Sequence, residues 1–402
     1  MKNGKMGLHV LSNAIWAPTG YGVQAKLVLP RIKALGYDVS MTAYYGLQGH
    51  TLQINDTTVC PGGYHPYGMD VAAGNTKTNE AEILLTTVDA WVCEPEMFRD
   101  VLWVPWFPVD SESLSTLIKI KLPSAFERIV MSKHGQKLVE AAGFPCKYVP
   151  CATDTKVFTP SPRDAAFAEM NLHIPVKIPE DRFIVSIVAM NKGNPSRKAF
   201  CEQMRAFKAL HDKYPDTVLY MHTITSEQGQ QNGVNLIEYC KFIGLVPGVD
   251  VFFPDALTMV NGYPDVFLNA VYNASNVLLS VTMGEGFGIP VLEAQAAGCP
   301  VIIGDWTAMS EIFFSGWKVR KEEAQEVWTP LGAIQMQPKW QAITDRLEKA
   351  YAVRGNQEYR KRARKGALAY DIDTVIEKYW KPVMEEINKR VVDRPTFTDV
   401  PK

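Results

Sequence analysis

Short apolar runs alternate with helix-like stretches along almost the whole chain, and this alternation limits the fold more than any other feature. The first run, Gly7 to Leu11, leads through a glycine loop into a helical pattern from Val23 to Leu35. Later runs of strand length span residues 39–44, 83–87, 90–92, 101–104, 129–131 and 148–149. Strands that alternate with helices favour a parallel sheet covered by helices on both faces.

The same pattern begins again in the second half of the chain. An apolar run from Phe183 to Ala189 precedes a helical stretch from about Lys198 to His211. Further runs of strand length span residues 218–222, 251–253, 277–280 and 301–303. A length of 402 residues also exceeds what one hydrophobic core usually organises. We therefore predict an α/β protein with two Rossmann-like domains.

The domain boundaries follow from where this alternation stops. Polar, proline-containing sequence after residue 160 predicts a connection without a buried element, and the charged helical sequence near the C-terminus predicts helices that lie across an existing surface. The predicted division is a first domain at 1–160, a linker at 161–180, a second domain at 181–355, C-terminal helices at 356–392 and a tail at 393–402.

Composition narrows the possible partners and compartments. A formal net charge of −1 gives no overall basic field, which weakens the case for a nucleic-acid partner without excluding one. The 7 cysteines are odd in number and contain no Cys-x-x-Cys pair, which favours reduced thiols and the cytoplasm. The histidines show no close pair with metal-ligand spacing, so we expect no bound metal. No apolar run approaches the ~20 residues of a spanning helix, and Met1 to Gly7 lacks an apolar signal core.

The most informative segment for chemistry runs from residue 283 to residue 302. Gly284, Gly286 and Gly288 follow the strand at 277–280, and glycines there let a backbone approach a ligand closely. Amides at the start of the following helix favour an anion such as a diphosphate. Glu285 and Glu293 can accept hydrogen bonds from hydroxyls of one elongated ligand. The alternative is a tight strand-to-helix turn with both glutamates on a solvated face.

The spacing of these glutamates also carries a family resemblance. Seven residues separate Glu285 from Glu293 in the segment Gly-Glu-Gly-Phe-Gly-Ile-Pro-Val-Leu-Glu-Ala. This segment strongly resembles the signature of retaining family 4 glycosyltransferases with the GT-B fold. The resemblance implies two Rossmann-like domains whose parallel sheets face each other across a cleft, and a C-terminal helix that crosses back to the first domain. By this resemblance the first domain binds the acceptor and the second binds a nucleotide sugar.

The resemblance implies roles for residues in and around this segment. Glu285 would contact hydroxyls of the transferred sugar as a catalytic group, and Glu293 would contact the ribose. The donor phosphates would lie near Gly286, Phe287 and Gly288.

A second segment, after the first strand of the second half, supplies candidate cations. Arg197 and Lys198 stand where the family places a cation pair. Such a pair is needed because a departing nucleoside diphosphate accumulates negative charge that must be stabilised. Where the family usually has Gly-Arg, this chain has Met190-Asn191, so Asn191 is a candidate donor contact and Lys192 a candidate substitute cation. The alternative for Arg197 and Lys198 is a solvated helix start.

Three other positions complete the predicted site. Gly20, Tyr21 and Gly22 match the family loop that closes over the donor, with a simple tight turn as the alternative. Asp110 is predicted to be catalytic, touching the sugar or accepting the acceptor's proton, unless it only caps a helix beginning near Glu112. His222 ends a strand and is either a donor contact or a core histidine.

The resemblance implies no bound cofactor and a nucleotide sugar as co-substrate, with a uridine diphosphate (UDP) sugar preferred and a guanosine diphosphate (GDP) sugar as the second choice. The segments Trp16 to Gln24 and Tyr44 to Gln48 also resemble glycosyltransferases of bacteriophages and some bacteria. This suggests a hexose transferred to hydroxymethylated DNA, in the host cytoplasm if the chain is phage-encoded. Protein or small-molecule acceptors, and a non-catalytic sugar-nucleotide-binding protein, remain alternatives. The sequence leaves the oligomeric state open.

Overall fold

The computed structural model describes residues 4–193, 195–225 and 233–394. The chain forms two compact units. The first unit contains the chain up to Val109, Leu114–Ala152 and the chain from Ile372 onward. The second unit contains Asp110–Ser113 and Thr153–Asp371. A four-residue segment of the N-terminal half thus belongs to the second unit.

The first unit is built on a twisted sheet that is parallel except at one edge. Its strands are β1 (Gly7–Asn13), β2 (Asp38–Tyr45), β3 (Leu52–Ile54), β4 (Thr57–Pro61), β5 (Ile83–Thr87), β6 (Leu102–Phe107), β7 (Ile129–Val130) and β8 (Lys147–Tyr148). In the described part of the chain the order is β3-β4-β2-β1-β5-β6-β7-β8, and β3 pairs antiparallel with β4. The helices are α1 (Gly20–Ala34), α2 (Met69–Thr78), α3 (Thr116–Lys119) and α4 (Lys133–Ala141).

The second unit has a parallel sheet of six strands within the described residues, in the order β11-β10-β9-β12-β13-β14. These strands are β9 (Phe183–Val188), β10 (Thr217–His222), β11 (Val251–Phe252), β12 (Val277–Ser280), β13 (Val301–Gly304) and β14 (Gly316–Val319). A separate hairpin joins β15 (Ala324–Trp328) to β16 (Ile334–Pro338). The helices are α5 (Arg163–His173), α6 (Phe200–Lys213), α7 (Leu236–Phe242), α8 (Ala256–Asn261), α9 (Asp265–Ala274), α10 (Ile289–Ala296), α11 (Trp340–Ala352) and α12 (Gln357–Ala367).

The chain ends in the first unit, with α13 (Ile372–Val375), a π-helical turn at Ile376–Trp380 and α14 (Lys381–Val392). The Trp380 ring packs edge-on against Trp106 of β6, with centroids 4.8 Å apart. Glu386 of α14 pairs with Lys147 at 2.7 Å. The predicted return of a C-terminal helix to the first domain is confirmed by α13 and α14, whereas α12, which lies within the predicted 356–392 range, belongs to the second unit. Of the predicted tail at 393–402, residues 395–402 lie outside the described residues.

Most predicted strands occur within a residue or two of their expected positions, but two predicted features differ. Ala90–Val92 forms a 3₁₀ turn and not a strand, because its backbone hydrogen bonds close locally, from Val92 to Asp89 and from Cys93 to Ala90. The segment at 161–180, expected to lack a buried element, contains α5. Ala166, Phe167 and Met170 of this helix are buried in a core cluster with α9. Three apolar residues on one helical face suffice to bury an otherwise polar helix.

No helix in the described residues is both long enough and apolar enough to cross a membrane.

Candidate functional site

The candidate site lies where the order of the parallel sheet in the second unit reverses. The chain leaves β9 toward β10 on one side and leaves β12 toward β13 on the other. In open α/β sheets, ligands bind at the carboxyl ends of strands at such a switch point. Arg197 and Lys198 follow β9, and Glu285 follows β12. The sequence pattern therefore places these residues at the position where the fold favours a ligand.

Glu285 is held between two cations. Lys198 Nζ lies 2.5 Å from Glu285 Oε1, and Arg197 Nη1 lies 3.3 Å from Glu285 Oε2. Arg197 Nε also lies 3.5 Å from Asp110 Oδ2. Only 13% of the Glu285 side chain and 20% of the Lys198 side chain are exposed. The alternatives of a solvated glutamate face and a solvated helix start are therefore wrong for Glu285 and Lys198, whereas the Arg197 side chain is 35% exposed.

The charges of this cluster determine its titration. Burial by itself raises the pKa of Glu285, but Lys198 and then Arg197 overcome this effect and lower the pKa to about 2. Burial lowers the pKa of Lys198, while the nearby Glu285 opposes that change. Glu285 is consequently a carboxylate at neutral pH, ready to accept hydrogen bonds from hydroxyl groups.

The segment that carries the two cations is fixed to the loop after β12. The carbonyl oxygen of Arg197 accepts a hydrogen bond from Met283 N at 2.8 Å. Gln203 of α6 bridges the same two segments, because its Nε2 donates to Lys198 O at 2.7 Å and its Oε1 accepts from Val281 N at 3.0 Å. Gln203 is a site-building residue that the sequence did not reveal, since a buried glutamine on a helix carries no motif.

Two glycines of the signature are required by the packing of the protein itself. A Cβ at Gly284 would lie 2.1 Å from the carbonyl oxygen of Asp110. Gly288 has φ +104° and caps α10, and a Cβ there would lie 2.6 Å from Met309 Sδ. These glycines thus let the loop backbone pack closely against other segments of the second unit. This packing fixes the loop on which Glu285 sits.

Gly286 and Phe287 continue this loop toward α10. The Phe287 side chain is buried, and its ring packs edge-on against Tyr370 with centroids 6.0 Å apart. The ring therefore anchors the loop. A donor contact at these two positions would come from the backbone, as expected for amides near phosphates.

Glu293 lies one turn into α10 and is buried. Tyr272 Oη donates to Glu293 Oε2 at 3.0 Å. Burial raises the pKa of Glu293 to about 8; Tyr272 lowers it and Asp265 raises it. Glu293 is therefore a protonated carboxyl at neutral pH, which can both donate and accept a hydrogen bond. The solvated-face alternative is wrong for Glu293 as well.

Asn191 and His222 make contacts within the protein. Both amide hydrogens of the fully buried Asn191 bond to backbone, at Ile224 O and Val234 O, and its Oδ1 accepts from Val234 N. His222 Nδ1 lies 3.1 Å from Tyr220 Oη, and burial lowers the pKa of His222 to about 4. These contacts assign Asn191 to loop anchoring and favour the core alternative for His222.

Gly20, Tyr21 and Gly22 form the start of α1 in the first unit, while the other candidates lie in the second. Thr19 caps this helix, because its Oγ1 accepts from Gly22 N at 3.1 Å. A Cβ at Gly22 would lie 2.4 Å from the carbonyl oxygen of Ala17. The glycine at 22 is thus needed for the tight turn. Val23 N also bonds to Thr19 O at 2.9 Å, so Thr19 accepts from two amides of the first turn of α1.

The structure excludes a capping role for Asp110. The helix that follows is α3, and its cap is Ser115, whose side chain accepts from Leu117 N at 3.1 Å. Asp110 belongs to the second unit and pairs with Arg197.

Among residues 4–193, 195–225 and 233–394, no group of three or more His, Cys, Asp or Glu side chains is arranged to hold a metal ion.

Comparisons with known proteins place this site in a recognised type of domain. Residues 186–329, which include Arg197, Lys198, Glu285 and Glu293, match the family described as Glycosyl transferases group 1. A serotype-specific mannosyltransferase of Escherichia coli, WbdA, is 30% identical over 126 residues, which cover 30% of this chain and 14% of the relative. The chain therefore corresponds to a small part of that curated relative.

Solved structures resemble the chain over nearly its full length. Sucrose-phosphate synthase from Thermosynechococcus elongatus has a TM-score of 0.70 at 15% identity, covering 96% of this chain and 98% of that one. Anabaena Alr3699/HepE in complex with UDP-glucose has a TM-score of 0.70 at 14% identity, covering 94% and 100%. These similarities show that the chain has the GT-B fold, as the sequence predicted.

Proposed function

We propose that this protein is a glycosyltransferase that moves a hexose from a nucleoside-diphosphate sugar to an acceptor hydroxyl, with retention of anomeric configuration. The observation that carries the proposal is the Lys198–Glu285–Arg197 cluster at the switch point of a parallel sheet, inside a segment that matches group 1 glycosyltransferases. Retention is inferred from the family 4 resemblance of the Glu285 to Glu293 segment.

The chemistry of the cluster suits a departing diphosphate. In such a transfer the bond between the anomeric carbon and the diphosphate oxygen breaks, and negative charge accumulates on the leaving group. Arg197 and Lys198 supply two fixed positive charges at one place, and charge-assisted hydrogen bonds to phosphate are strong. Stabilisation by protein cations and helix-start amides requires no metal ion for this step.

The two glutamates suit the two ends of the donor. Glu285 is a carboxylate that accepts hydrogen bonds from sugar hydroxyls, and we assign it to the transferred hexose. Glu293 is a neutral carboxyl beside Tyr272, and we assign it to the ribose, whose hydroxyls both donate and accept. Asp110, next to Arg197, is the group we propose to contact the sugar or accept the proton of the acceptor.

The donor class is proposed from the structural neighbours, and the acceptor class from the sequence resemblance. Structural neighbours in complex with UDP-glucose support a UDP-hexose donor, and a GDP-hexose is the second choice. We propose hydroxymethylated DNA of a bacteriophage as the first acceptor to test, on the sequence resemblance, with protein and small-molecule hydroxyls next. The 7 cysteines are free thiols, which supports the reducing cytoplasm as the location we propose.

The test is detection of sugar transfer by mass spectrometry, with a panel of UDP- and GDP-hexoses and pooled acceptors that include hydroxymethylcytosine DNA. Glu285→Ala is the site control, and Glu326→Gln, at an exposed glutamate of β15, is the matched surface control. Transfer that is lost in Glu285→Ala and kept in Glu326→Gln supports the proposal. Donor binding without transfer or hydrolysis, across the whole panel, would identify a sugar-nucleotide-binding protein instead.

A further inference from the structure

The segment Asp110–Ser113 is integrated into the second unit although its neighbours in sequence belong to the first. Glu112 N donates to Ile334 O at 2.8 Å, and Ser113 Oγ accepts from Ile334 N at 3.0 Å. These two hydrogen bonds, one from the backbone and one to the Ser113 hydroxyl, dock the segment against the start of β16. They fix the Glu112 backbone within the unit that carries the candidate site.

The Glu112 carboxylate makes two directed contacts from this fixed position. Its Oε1 accepts from Thr307 N at 2.9 Å, and its Oε2 pairs with Lys321 Nζ at 2.7 Å. The Glu112 side chain is only 16% exposed. A hydrogen bond from a backbone amide to a partly buried carboxylate is stronger than one between neutral groups. Glu112 is therefore well placed to control the conformation of Thr307.

Thr307 needs such control because its backbone is in an unfavourable region. Its φ is +53°, a left-handed conformation that β-branched residues rarely adopt. Thr307 also contacts the loop that carries Glu285, because its Oγ1 accepts from Glu285 N at 3.1 Å. The next residue, Ala308, donates its backbone N–H to Glu285 O at 3.3 Å. Residues 307 and 308 together hold both polar groups of the Glu285 backbone.

We propose that Glu112 is a positioning residue for Glu285 and acts through Thr307. The carboxylate holds the Thr307 amide, the held amide keeps Thr307 left-handed, and that conformation aims the Thr307 hydroxyl at Glu285 N. The role in catalysis rests on the proposed function. The role in positioning concerns the conformation of the loop and can be measured without turnover.

The catalytic test compares kcat and donor KM of the full-length chain and its variants. Glu112→Ala removes the acceptor of Thr307 N, and we expect kcat to fall at least about tenfold, the scale of one charged hydrogen bond. Donor KM should change less than about threefold, because the diphosphate contacts of Arg197 and Lys198 are retained. Glu112→Gln keeps a side-chain oxygen at the same place and should recover most of the activity. Glu326→Gln, at the exposed glutamate of β15, should behave like the parent chain.

We expect kcat to fall less in Lys321→Met than in Glu112→Ala. Lys321→Met breaks the ion pair but leaves the Glu112 carboxylate in place as the acceptor of Thr307 N. A kcat of Glu112→Ala within about threefold of the parent chain would overturn the catalytic part of the proposal. So would an equal loss in Lys321→Met, since the ion pair alone would then explain the effect.

The second measurement needs no activity. Glycine adopts a positive φ without strain, so Thr307→Gly should reduce the dependence on Glu112. We expect Glu112→Ala to lower the urea midpoint at least about twice as much in the parent chain as in the Thr307→Gly background. Equal shifts in both backgrounds would overturn the positioning role. If the parent chain proves inactive on the whole donor panel, the proposed function fails, and this comparison still decides whether Glu112 controls Thr307.

Discussion

Replacing Lys198 by Met is the most direct test of the charge cluster. The variant keeps much of the side-chain volume and removes the cation that lies 2.5 Å from Glu285. Glu285 then remains buried with Arg197 as its weaker partner, at 3.3 Å. The expected result is a loss of stability at neutral pH, because a buried carboxylate without sufficient compensation is costly.

The magnitude follows from the pKa of Glu285. The pKa is lowered from its ordinary value of 4.5 to about 2, and each pKa unit corresponds to about 1.4 kcal/mol. The folded protein thus favours the ionised form of Glu285 by about 3 kcal/mol relative to the unfolded chain, with Lys198 as the largest favourable contributor. Burial of the Lys198 charge, which lowers the pKa of Lys198, offsets part of this gain. We expect Lys198→Met to lower the free energy of unfolding of the second unit by about 2 kcal/mol at pH 7.

The sign of the pH dependence follows from the same shift. A carboxyl whose folded pKa lies below its unfolded value contributes stability that is present above about pH 4.5 and is lost as the pH falls toward about 2. The difference between parent and variant should therefore be largest at neutral pH. It should narrow as the medium becomes more acidic and Glu285 of the variant takes up a proton.

Hydrogen exchange measured by mass spectrometry on peptides from β9 and β12 suits this prediction, because it reports on the second unit separately. The double variant Lys198→Met with Glu285→Gln removes the unpaired charge and should be more stable than Lys198→Met alone. The reasoning is refuted if Lys198→Met changes the opening free energy by less than about 0.5 kcal/mol. It is also refuted if the two substitutions are simply additive.

Three further predictions concern neighbouring groups. Asp110→Asn should lower kcat at least about a hundredfold with donor affinity within about threefold of the parent chain, and unchanged turnover would remove Asp110 from the mechanism. Burial raises the pKa of Glu293 from 4.5 to about 8. As the pH rises, the unfolded chain therefore loses this proton at a lower pH than the folded chain does, and the free energy of unfolding should fall from pH 5 to pH 7. This fall, up to about 3 kcal/mol, should be absent in Glu293→Gln when stability is measured at both pH values. Gly284→Ala should destabilise the second unit by about 1–3 kcal/mol, because its Cβ would meet the Asp110 carbonyl oxygen at 2.1 Å; an unchanged urea midpoint would contradict that contact.

The sequence by itself determined most strands and the centre of the candidate site. Apolar periodicity is a local property, so β1, β5, β9, β12 and β13 could be predicted to within a residue or two. The Glu285 to Glu293 spacing on a strand, loop and helix also lies within one short segment. Parallel strands and the switch point then follow from general rules of α/β proteins.

Only the tertiary structure shows which distant side chains contact the loops of the candidate site. Glu112 reaches Thr307, and Gln203 joins the loops after β9 and β12, although none of these residues lies in a motif. Asn191 became a loop anchor because its whole amide is used by the backbone. Such roles depend on contacts between residues far apart in the chain. Local periodicity carries no information about these contacts, and only the packing of the second unit creates them.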